Sequence, residues 1–152
     1  MTPDIKSLMR ECGLVGAGGA GFPSYAKLSE GADTLIINAS ECEPLLHTDY
    51  EILRQHLDMV VAGAELIAEA LSIPRVILAV KEHTSHGLGL AADEAFGKCT
   101  RVFLLPNMYP MGDDSFHKLI CNQKTNHCQK LALIDLPKLR SKSTSFFIKH
   151  TT

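Results

Sequence analysis

The sequence predicts an α/β fold in which helices cover a mainly parallel β-sheet. Short, β-branched apolar segments alternate with segments of helical period in the order strand, helix, strand, helix, strand. A glycine-rich segment precedes the first strand. The chain has 152 residues, of which 45% are hydrophobic and 21% are charged, a size and balance typical of one globular domain.

The three strands are predicted where a short apolar run lies between turn-forming residues. The run 34–39 lies between Gly31-Ala-Asp33 and Glu41-Cys-Glu-Pro44. The runs 75–81 and 100–105 have the same character. Runs of this length and composition are typical of buried strands, as found in parallel sheets.

A long helix is predicted between the first two strands. Thr48-Asp-Tyr-Glu51 has the capping-box pattern, so we expect the helix to begin at Thr48, and Pro74 prevents its continuation. A second helix is predicted over residues 85–96. The apolar side chains of the long helix recur at spacings of three, four and seven and should pack on the sheet: Ile52, Leu53, Leu57, Val60, Val61, Ala64, Ile67, Ala68 and Leu71.

The charge pattern divides the chain at Asp114. Residues 1–114 carry eight basic and sixteen acidic side chains, a balance of −8, whereas residues 115–152 carry seven and one, a balance of +6. The second part has no glycine and no clear helical or strand period. We therefore predict a domain over 1–114 and a basic, divergent tail over 115–152, of the kind that a reading-frame shift produces. Binding of nucleic acid by this tail is not expected, although basic tails can serve that purpose.

Several other classes of protein do not fit this sequence. No apolar run reaches about 18 residues and the N-terminus lacks the pattern of a secretory signal, so we expect a cytoplasmic chain without a membrane span. The five cysteines form no CxxC pair, and His83 and His86 have no further ligand at a zinc spacing. We therefore expect free thiols, solvated histidines and no metal site.

The glycine-rich segment has two interpretations that the residues alone leave open. It contains five glycines within nine residues, positions 13–21, which is typical of backbone that closely approaches a flat or anionic ligand. Gly16-x-Gly18-x-x-Gly21, with Glu41 twenty residues further on, also fits a dinucleotide-binding fingerprint. A turned loop without a ligand is the structural alternative to both.

Three segments together resemble a known family. They are Gly16-Ala-Gly-Gly-Ala-Gly-Phe-Pro23, Lys27 and Asn38-Ala-Ser-Glu-Cys-Glu-Pro44. This pattern is similar to the FMN- and NADH-binding core of the flavoprotein subunit of respiratory complex I. The variant Glu-Cys-Glu-Pro is closer to the C subunit of the Rnf complex and closest to the cobalamin reductase of propanediol utilization. The resemblance covers about residues 10–112 and ends after Tyr109-Pro-Met-Gly-Asp113.

The resemblance implies a role for each matched residue. Phe22 flanks the flavin ring and the nicotinamide, and Lys27 reaches the phosphate side of the flavin. Asn38 contacts FMN, Glu41 lies beside the flavin and Glu43 contacts NADH. Five residues form the loop over the FMN: Gly16, Gly18, Gly19, Ala20 and Gly21. The alternatives are a solvated Lys27, a core Phe22 and a strand-end acidic pair at Glu41 and Glu43.

The function implied by the resemblance is electron transfer. Members of this family pass a hydride from NADH to FMN, a step that needs no side-chain acid or base, so no catalytic residue is assigned. Electrons then go to iron–sulfur clusters or cobalamin in the full-length relatives, whose cluster-binding motifs do not occur in this sequence. We therefore expect a Rossmann-like but incomplete FMN-binding domain, a partial enzyme at most.

The resemblance also implies partners and a location. The partners are NADH, flavin and either other electron-transfer subunits or a cobalamin-dependent enzyme system. The location is the cytoplasm, in a microcompartment or at the periphery of a membrane complex in some relatives. Two alternatives stay open, namely a Rossmann-type NAD-binding module without flavin and a non-catalytic interaction fragment.

Overall fold

A computed structural model describes residues 4–15, 22–28, 31–41 and 45–109, together with the backbone of residues 131–135. These residues form a five-stranded sheet and its covering helices, which confirms the predicted α/β fold. The elements in chain order are α1 (Ile5–Glu11), a 3-10 helix (Ser24–Lys27), β1 (Thr34–Ala39), α2 (Thr48–Ala70), β2 (Arg75–Lys81), α3 (Glu82–Leu88), β3 (Ala95–Phe96), β4 (Thr100–Leu105) and β5 (Leu131–Asp135).

The sheet has the strand order β3-β4-β2-β1-β5. Strands β4, β2, β1 and β5 are parallel, and only the two-residue β3 is antiparallel, pairing with the start of β4. The chain runs outward from β1 through β2 to β4, and then β5 lies on the other side of β1. This reversal of direction makes the space beyond the carboxyl ends of β1 and β5 a topological switch point, the usual ligand crevice of an open α/β sheet.

Strand β1 is the centre of the core. Each of its six residues is buried, as the continuous apolar run predicts for a strand flanked on both sides by others. Helix α2 packs its apolar stripe against one face of the sheet, and the predicted residues of that stripe are buried or half-buried. Among the described helices, none has the length and apolar character needed to cross a membrane.

The predicted start of α2 at Thr48 is confirmed, but the predicted capping box is wrong. The helix begins at Thr48, but His47 is the N-cap and its side chain makes no capping hydrogen bond. Glu51 does not reach back to the amide of Thr48. Its Oε2 instead accepts from Arg54 Nη2 at 2.8 Å and from Gln55 Nε2 at 3.0 Å, because residues three and four apart face each other on a helix.

The predicted helix over 85–96 is also wrong in its bounds. Helix α3 covers Glu82–Leu88 and ends at Gly89, whose φ of 69° is left-handed. The amides of Gly89 and Leu90 donate to the carbonyls of His86 and Ser85, which closes the helix end. The chain then turns into β3, so residues 95–96 are extended rather than helical.

Strand β5 lies within the segment 115–152, where the sequence showed no clear strand period. Its residues Leu131–Asp135 pair in parallel with β1. Leu131-Ala-Leu-Ile134 is a continuous apolar run without alternation, as is typical of strands in parallel sheets, and β5 forms one edge of the described sheet. The division of the chain at Asp114 stays a prediction.

One carboxylate on α2 holds the turn between β3 and β4. Glu65 Oε1 accepts from the amides of Lys98 at 2.7 Å and Cys99 at 2.9 Å and from the hydroxyl of Thr100 at 3.1 Å. Gly97 precedes this turn with a φ of 56°, and a Cβ there would lie 2.5 Å from the Glu65 carboxylate oxygens. The close approach therefore requires glycine at position 97.

The same contacts shift two pKa values. Burial raises the pKa of Glu65, but the hydrogen bonds from Cys99, Lys98 and Thr100 outweigh it and hold the pKa below its usual value of 4.5. Burial, and after it the Glu65 charge, raises the pKa of the Cys99 thiol. Cys99 is therefore a poor nucleophile at neutral pH.

Replacing Glu65 by alanine should destabilise the fold, because the turn amides lose a charged acceptor. We expect the free energy of unfolding to fall by about 2 kcal/mol at pH 7, measured by urea denaturation. Since the pKa of Glu65 is lower in the folded state, its contribution is fully present above pH 4.5 and is lost as the pH falls through the folded pKa.

Glu69→Ala is the matched control, because Glu69 is exposed on the same helix. It should change the free energy of unfolding by less than about 0.5 kcal/mol. A deficit in Glu65→Ala that stays constant from pH 7 to pH 3 would show that the charge of Glu65 does not hold the turn.

Candidate functional site

Polar side chains begin where β1 ends. Asn38, Ser40 and Glu41 follow four residues of Thr and apolar character, and Asn38 and Ser40 are buried at 6% and 4% exposure. Asn38 Oδ1 accepts from the backbone amide of Ser40 at 3.1 Å. This bond fixes the turn of the chain away from the sheet. These residues lie at the carboxyl end of the central strand, where ligands of such sheets bind.

Glu41 is held at two points. The ammonium group of Lys81, the last residue of β2, donates to the Glu41 carbonyl at 2.6 Å. Glu41 Oε2 accepts from the backbone amide of Asp49 in the first turn of α2, at a long 3.4 Å. A carboxylate at this position is favourable, because the first amides of a helix lack intrahelical partners and carry a partial positive charge. Glu41 thereby links the ends of β1 and β2 to the start of α2.

A cleft of about 360 Å³ opens at this edge of the sheet. Its volume falls in the range of small-molecule sites. The cleft is bounded by the end of β1, the start of α2, the start of α3 and the segment after β4. The lining residues are Glu41, Leu46, His47, Asp49, Tyr50, Lys81, His83, Thr84, Asn107, Met108 and Tyr109. Leu46, Met108 and Tyr109 are exposed at 53%, 53% and 76%, so large apolar surface is available to a ligand there.

The far wall of the cleft is held by His83 and Asn107. Asn107 Oδ1 accepts from the backbone amide of His83 at 3.0 Å, and His83 Nδ1 lies 2.7 Å from the same oxygen. A tautomer with the proton on Nδ1 makes this second contact a hydrogen bond. The segment carrying Met108 and Tyr109 is thus tied to the start of α3. His83 is exposed, as expected of a solvated histidine, and it also forms part of this wall.

Helices α2 and α3 meet closely beside the cleft. The hydroxyl of Tyr50 donates to the carbonyl of Gly87 at 3.3 Å. A Cβ at position 87 would lie 2.8 Å from Tyr50 Cε2, so the ring packs where a side chain would otherwise stand. This contact joins α2, through the cleft residue Tyr50, to α3.

The two ends of the glycine-rich segment are closed by a short stem. Val15 and Pro23 form an antiparallel bridge, and the amide of Ser24 donates to the Leu14 carbonyl at 3.0 Å. The guanidinium of Arg10 lies 5.5 Å from the centre of the Tyr25 ring, within range of a cation–π contact. The stem therefore fixes where residues 16–21 start and end.

The context of the glycines does not fit a dinucleotide fingerprint. That fingerprint needs a strand leading into the glycines and an α-helix directly after them. Here α1 precedes the glycine segment and a four-residue 3-10 helix follows it.

Two buried hydroxyl groups lack a hydrogen-bond partner among the described residues. They are Ser40 Oγ at the end of β1 and Ser24 Oγ directly after the glycine segment. The two residues are 4% and 3% exposed. A buried hydroxyl without a partner is destabilising, so both oxygens are suited to a polar ligand.

The structure describes four of the ten predicted site residues. Asn38 and Glu41 lie together at the carboxyl end of β1. Phe22 is 48% exposed at the end of the glycine segment, which contradicts a role as a core anchor. Lys27 is half-buried in the 3-10 helix, which contacts β5. Six predicted residues lie outside the described residues: Gly16, Gly18, Gly19, Ala20, Gly21 and Glu43.

Three residues of this edge, Ser40, Lys81 and Asn107, were not predicted from the sequence. A signal for Lys81 was present, since it is a charged residue at the carboxyl end of an apolar strand, as Glu41 is, but it lies outside the segments that carry the family resemblance. Asn107 gave no comparable signal, because its role depends on the contact with His83 from a distant part of the chain.

Comparison with known proteins gives relatives along most of the chain. Cobalamin reductase PduS of Citrobacter freundii is 34% identical over 110 residues, which are 72% of this chain and 24% of that protein. The C subunit of the ion-translocating oxidoreductase complex of Edwardsiella ictaluri is 34% identical over 116 residues, covering 72% and 14% of the two chains. The C subunit of the proton-translocating ferredoxin:NAD(+) oxidoreductase complex of Clostridium ljungdahlii is 31% identical over 126 residues, covering 80% and 27%.

These relatives are much longer than the present chain, which spans between 14% and 27% of their length. A similar fold occurs in the crystal structure of an NAD+-reducing NiFe-hydrogenase in the air-oxidized state, with a TM-score of 0.64. That match is 20% identical and covers 89% of this chain and 28% of the other. It confirms the fold.

The family model described as the Nuo51 FMN-binding domain matches residues 9–130. The match includes the glycine-rich segment, the whole edge of the sheet that carries the cleft, and part of the segment after Asp114. It confirms the resemblance drawn from the sequence. The chain belongs to the Nuo51 FMN-binding domain family.

Proposed function

We propose that this chain binds FMN and NADH as an electron-transfer module, in which a hydride passes from NADH to FMN. The observation that carries the proposal is the family match over residues 9–130. That range contains both polypeptide segments that meet a ligand in the proposal, the glycine-rich loop and the end of β1. The name of the Clostridium ljungdahlii relative, which includes NAD(+), supports the nucleotide.

The described residues fit FMN. A flavin ring offers carbonyl and ring nitrogen atoms to Ser40 Oγ, which has no partner among the described residues. Exposed aromatic surface suited to a flat ring is present at Phe22 and Tyr109. A dianionic phosphate suits a lysine and the backbone amides of a glycine-rich segment, and we assign these roles to Lys27 and residues 16–21.

The protein's part in the reaction is binding and orientation. When bound, FMN supplies the capacity to accept a hydride and release electrons singly. Asn38 and Glu41 fix the chain at the end of β1, and we assign them to the flavin side of the site. We assign Glu43 to the ribose hydroxyls of NADH, which a carboxylate can accept from, and Phe22 to the nicotinamide side.

We base our proposals for the electron acceptor and the partners on the relatives. The cobalamin reductase supports a cobalamin-dependent system, and the relatives that belong to oxidoreductase complexes support other electron-transfer subunits. Iron–sulfur clusters are assigned only to the full-length relatives.

We further propose that residues 1–114 are the first part of the flavin domain and that residues 115–152 are a divergent tail. We also propose that the chain acts in the cytoplasm, within a microcompartment or at the periphery of a membrane complex.

Titration of FMN with the purified protein should quench the flavin fluorescence to saturation. Ser40→Ala should weaken FMN binding about tenfold, because the ligand loses one hydrogen bond from a buried hydroxyl. The same substitution should change the free energy of unfolding of the ligand-free protein by less than about 1 kcal/mol, since no described residue loses a partner.

Ser85→Ala is the contrasting variant. Ser85 is fully buried and its hydroxyl donates to the Leu90 carbonyl at 2.7 Å, so its loss should lower stability by about 1 kcal/mol and leave FMN affinity unchanged. A folded wild-type protein that leaves FMN fluorescence unchanged would refute the proposed function. If that protein still bound NADH, the flavin-free NAD-binding alternative would replace it.

Anaerobic addition of NADH to the FMN-loaded protein should bleach the visible absorbance of the flavin. Glu43→Ala should raise the NADH concentration needed for half-bleaching about tenfold, because the ribose hydroxyls lose a charged acceptor. FMN affinity should not change in this variant. If the wild type and Glu43→Ala need the same NADH concentration for half-bleaching, Glu43 does not contact the nucleotide. If NADH bleaches neither protein, NADH is not the electron donor.

A further inference from the structure

Lys81 is a buried cation at the proposed cofactor site. It is the last residue of β2 and is only 8% exposed. No described carboxylate lies within the 4.0 Å of an ion pair from its ammonium group; the ion pairs in which both partners are described join Arg54 to Glu51 and Arg75 to Asp33. Burying an ammonium group costs free energy unless other groups compensate the charge.

Among the described residues, Lys81 has fewer hydrogen-bond acceptors than it has N–H donors. An ammonium group has three N–H donors, and the described partner is a single carbonyl, that of Glu41 at 2.6 Å. Lys81 also lines the cleft. Within the described part of the chain, two N–H donors of Lys81 have no acceptor, and a ligand that brings acceptors or negative charge into the cleft would supply one.

Among the described residues that line the cleft, Glu41 and Asp49 carry carboxylates, and neither forms an ion pair with Lys81. Glu41 contributes its carbonyl to Lys81, whereas its carboxylate accepts from the Asp49 amide. Asp49 and His47 belong to the start of α2, and His83 pairs with Asn107. Among the lining residues that the structure describes, Lys81 is the one lysine, and none is an arginine.

We infer that Lys81 is a cofactor-site residue that fixes the Glu41 main chain and directs its positive charge to the flavin, favouring the reduced form. The inference rests on the proposed function. Two-electron reduction makes the flavin ring more electron-rich, and a nearby cation stabilises that state more than the oxidised one. Because the cleft is partly buried, the effect is larger than it would be in water.

Two substitutions separate the two roles of Lys81. Lys81→Gln keeps an N–H donor for the Glu41 carbonyl and removes the charge. Lys81→Met removes both. Lys98→Met is the matched control, because it makes the same chemical change at an exposed lysine in the turn between β3 and β4, at the opposite end of the sheet.

The experiment measures the affinity of each protein for oxidised FMN and the midpoint potential of the bound flavin. In Lys81→Gln the preference for reduced over oxidised flavin should fall about tenfold, which lowers the two-electron potential by about 30 mV. Lys81→Met should show the same change in potential and, in addition, a several-fold loss of affinity for oxidised FMN. Lys98→Met should match the wild type in both.

The outcomes separate this inference from the proposed function. A wild type that does not bind FMN overturns both. A wild type that binds FMN, with unchanged potentials in Lys81→Gln and Lys81→Met, leaves the proposed function standing and overturns the role of the Lys81 charge. Circular dichroism of each protein checks folding, and if Lys81→Met fails to fold, the potential of Lys81→Gln decides alone.

Discussion

The burial of β1 along its whole length decides where this protein can place a functional site. Strand β1 has β2 on one side and β5 on the other, and α2 packs against it. Its residues from Thr34 to Ile37 are therefore buried and cannot contact a ligand in solvent. Polar groups can enter only where the strand ends. Because the neighbouring strands are parallel, their carboxyl ends share this edge, and Lys81 of β2 comes within hydrogen-bonding distance of Glu41. The burial of β1 in the core therefore determines where the candidate site lies.

The loops around this edge are held by contacts from distant parts of the chain. Glu41 connects the end of β1 to α2, and His83 connects α3 to the segment after β4. The stem at Val15 and Pro23 holds the ends of the glycine-rich segment. In the proposed hydride transfer, such preorganisation would set the relative position of the two bound rings, a step for which we assign no side-chain acid or base.

The parts of the molecule that sequence reasoning predicted are those set by local patterns. Strands β1, β2 and β4 follow from the length and composition of their apolar runs, and the stripe of α2 follows from its helical period. The predictions for the cap of α2 and the end of α3 were wrong, because a different side-chain contact formed at the first and a left-handed glycine ended the second. Glu51 turned to Arg54 instead of capping Thr48, and Gly89 ended α3 early in a left-handed conformation. At the site, Asn38 and Glu41 followed from motif and position, whereas Asn107 depends on a partner 24 residues away.

The central claim is that the ligand site lies at the carboxyl edge of the sheet, and the most direct measurement is an NMR titration of the isotope-labelled protein with FMN. The backbone amides of Ser40, Glu41, Thr84 and Tyr109 should shift on addition of FMN. Those of Lys98 and Cys99, in the turn held by Glu65 at the opposite edge, should stay in place. Shifts concentrated at the Glu65 turn, or absent from the end of β1, would contradict this account.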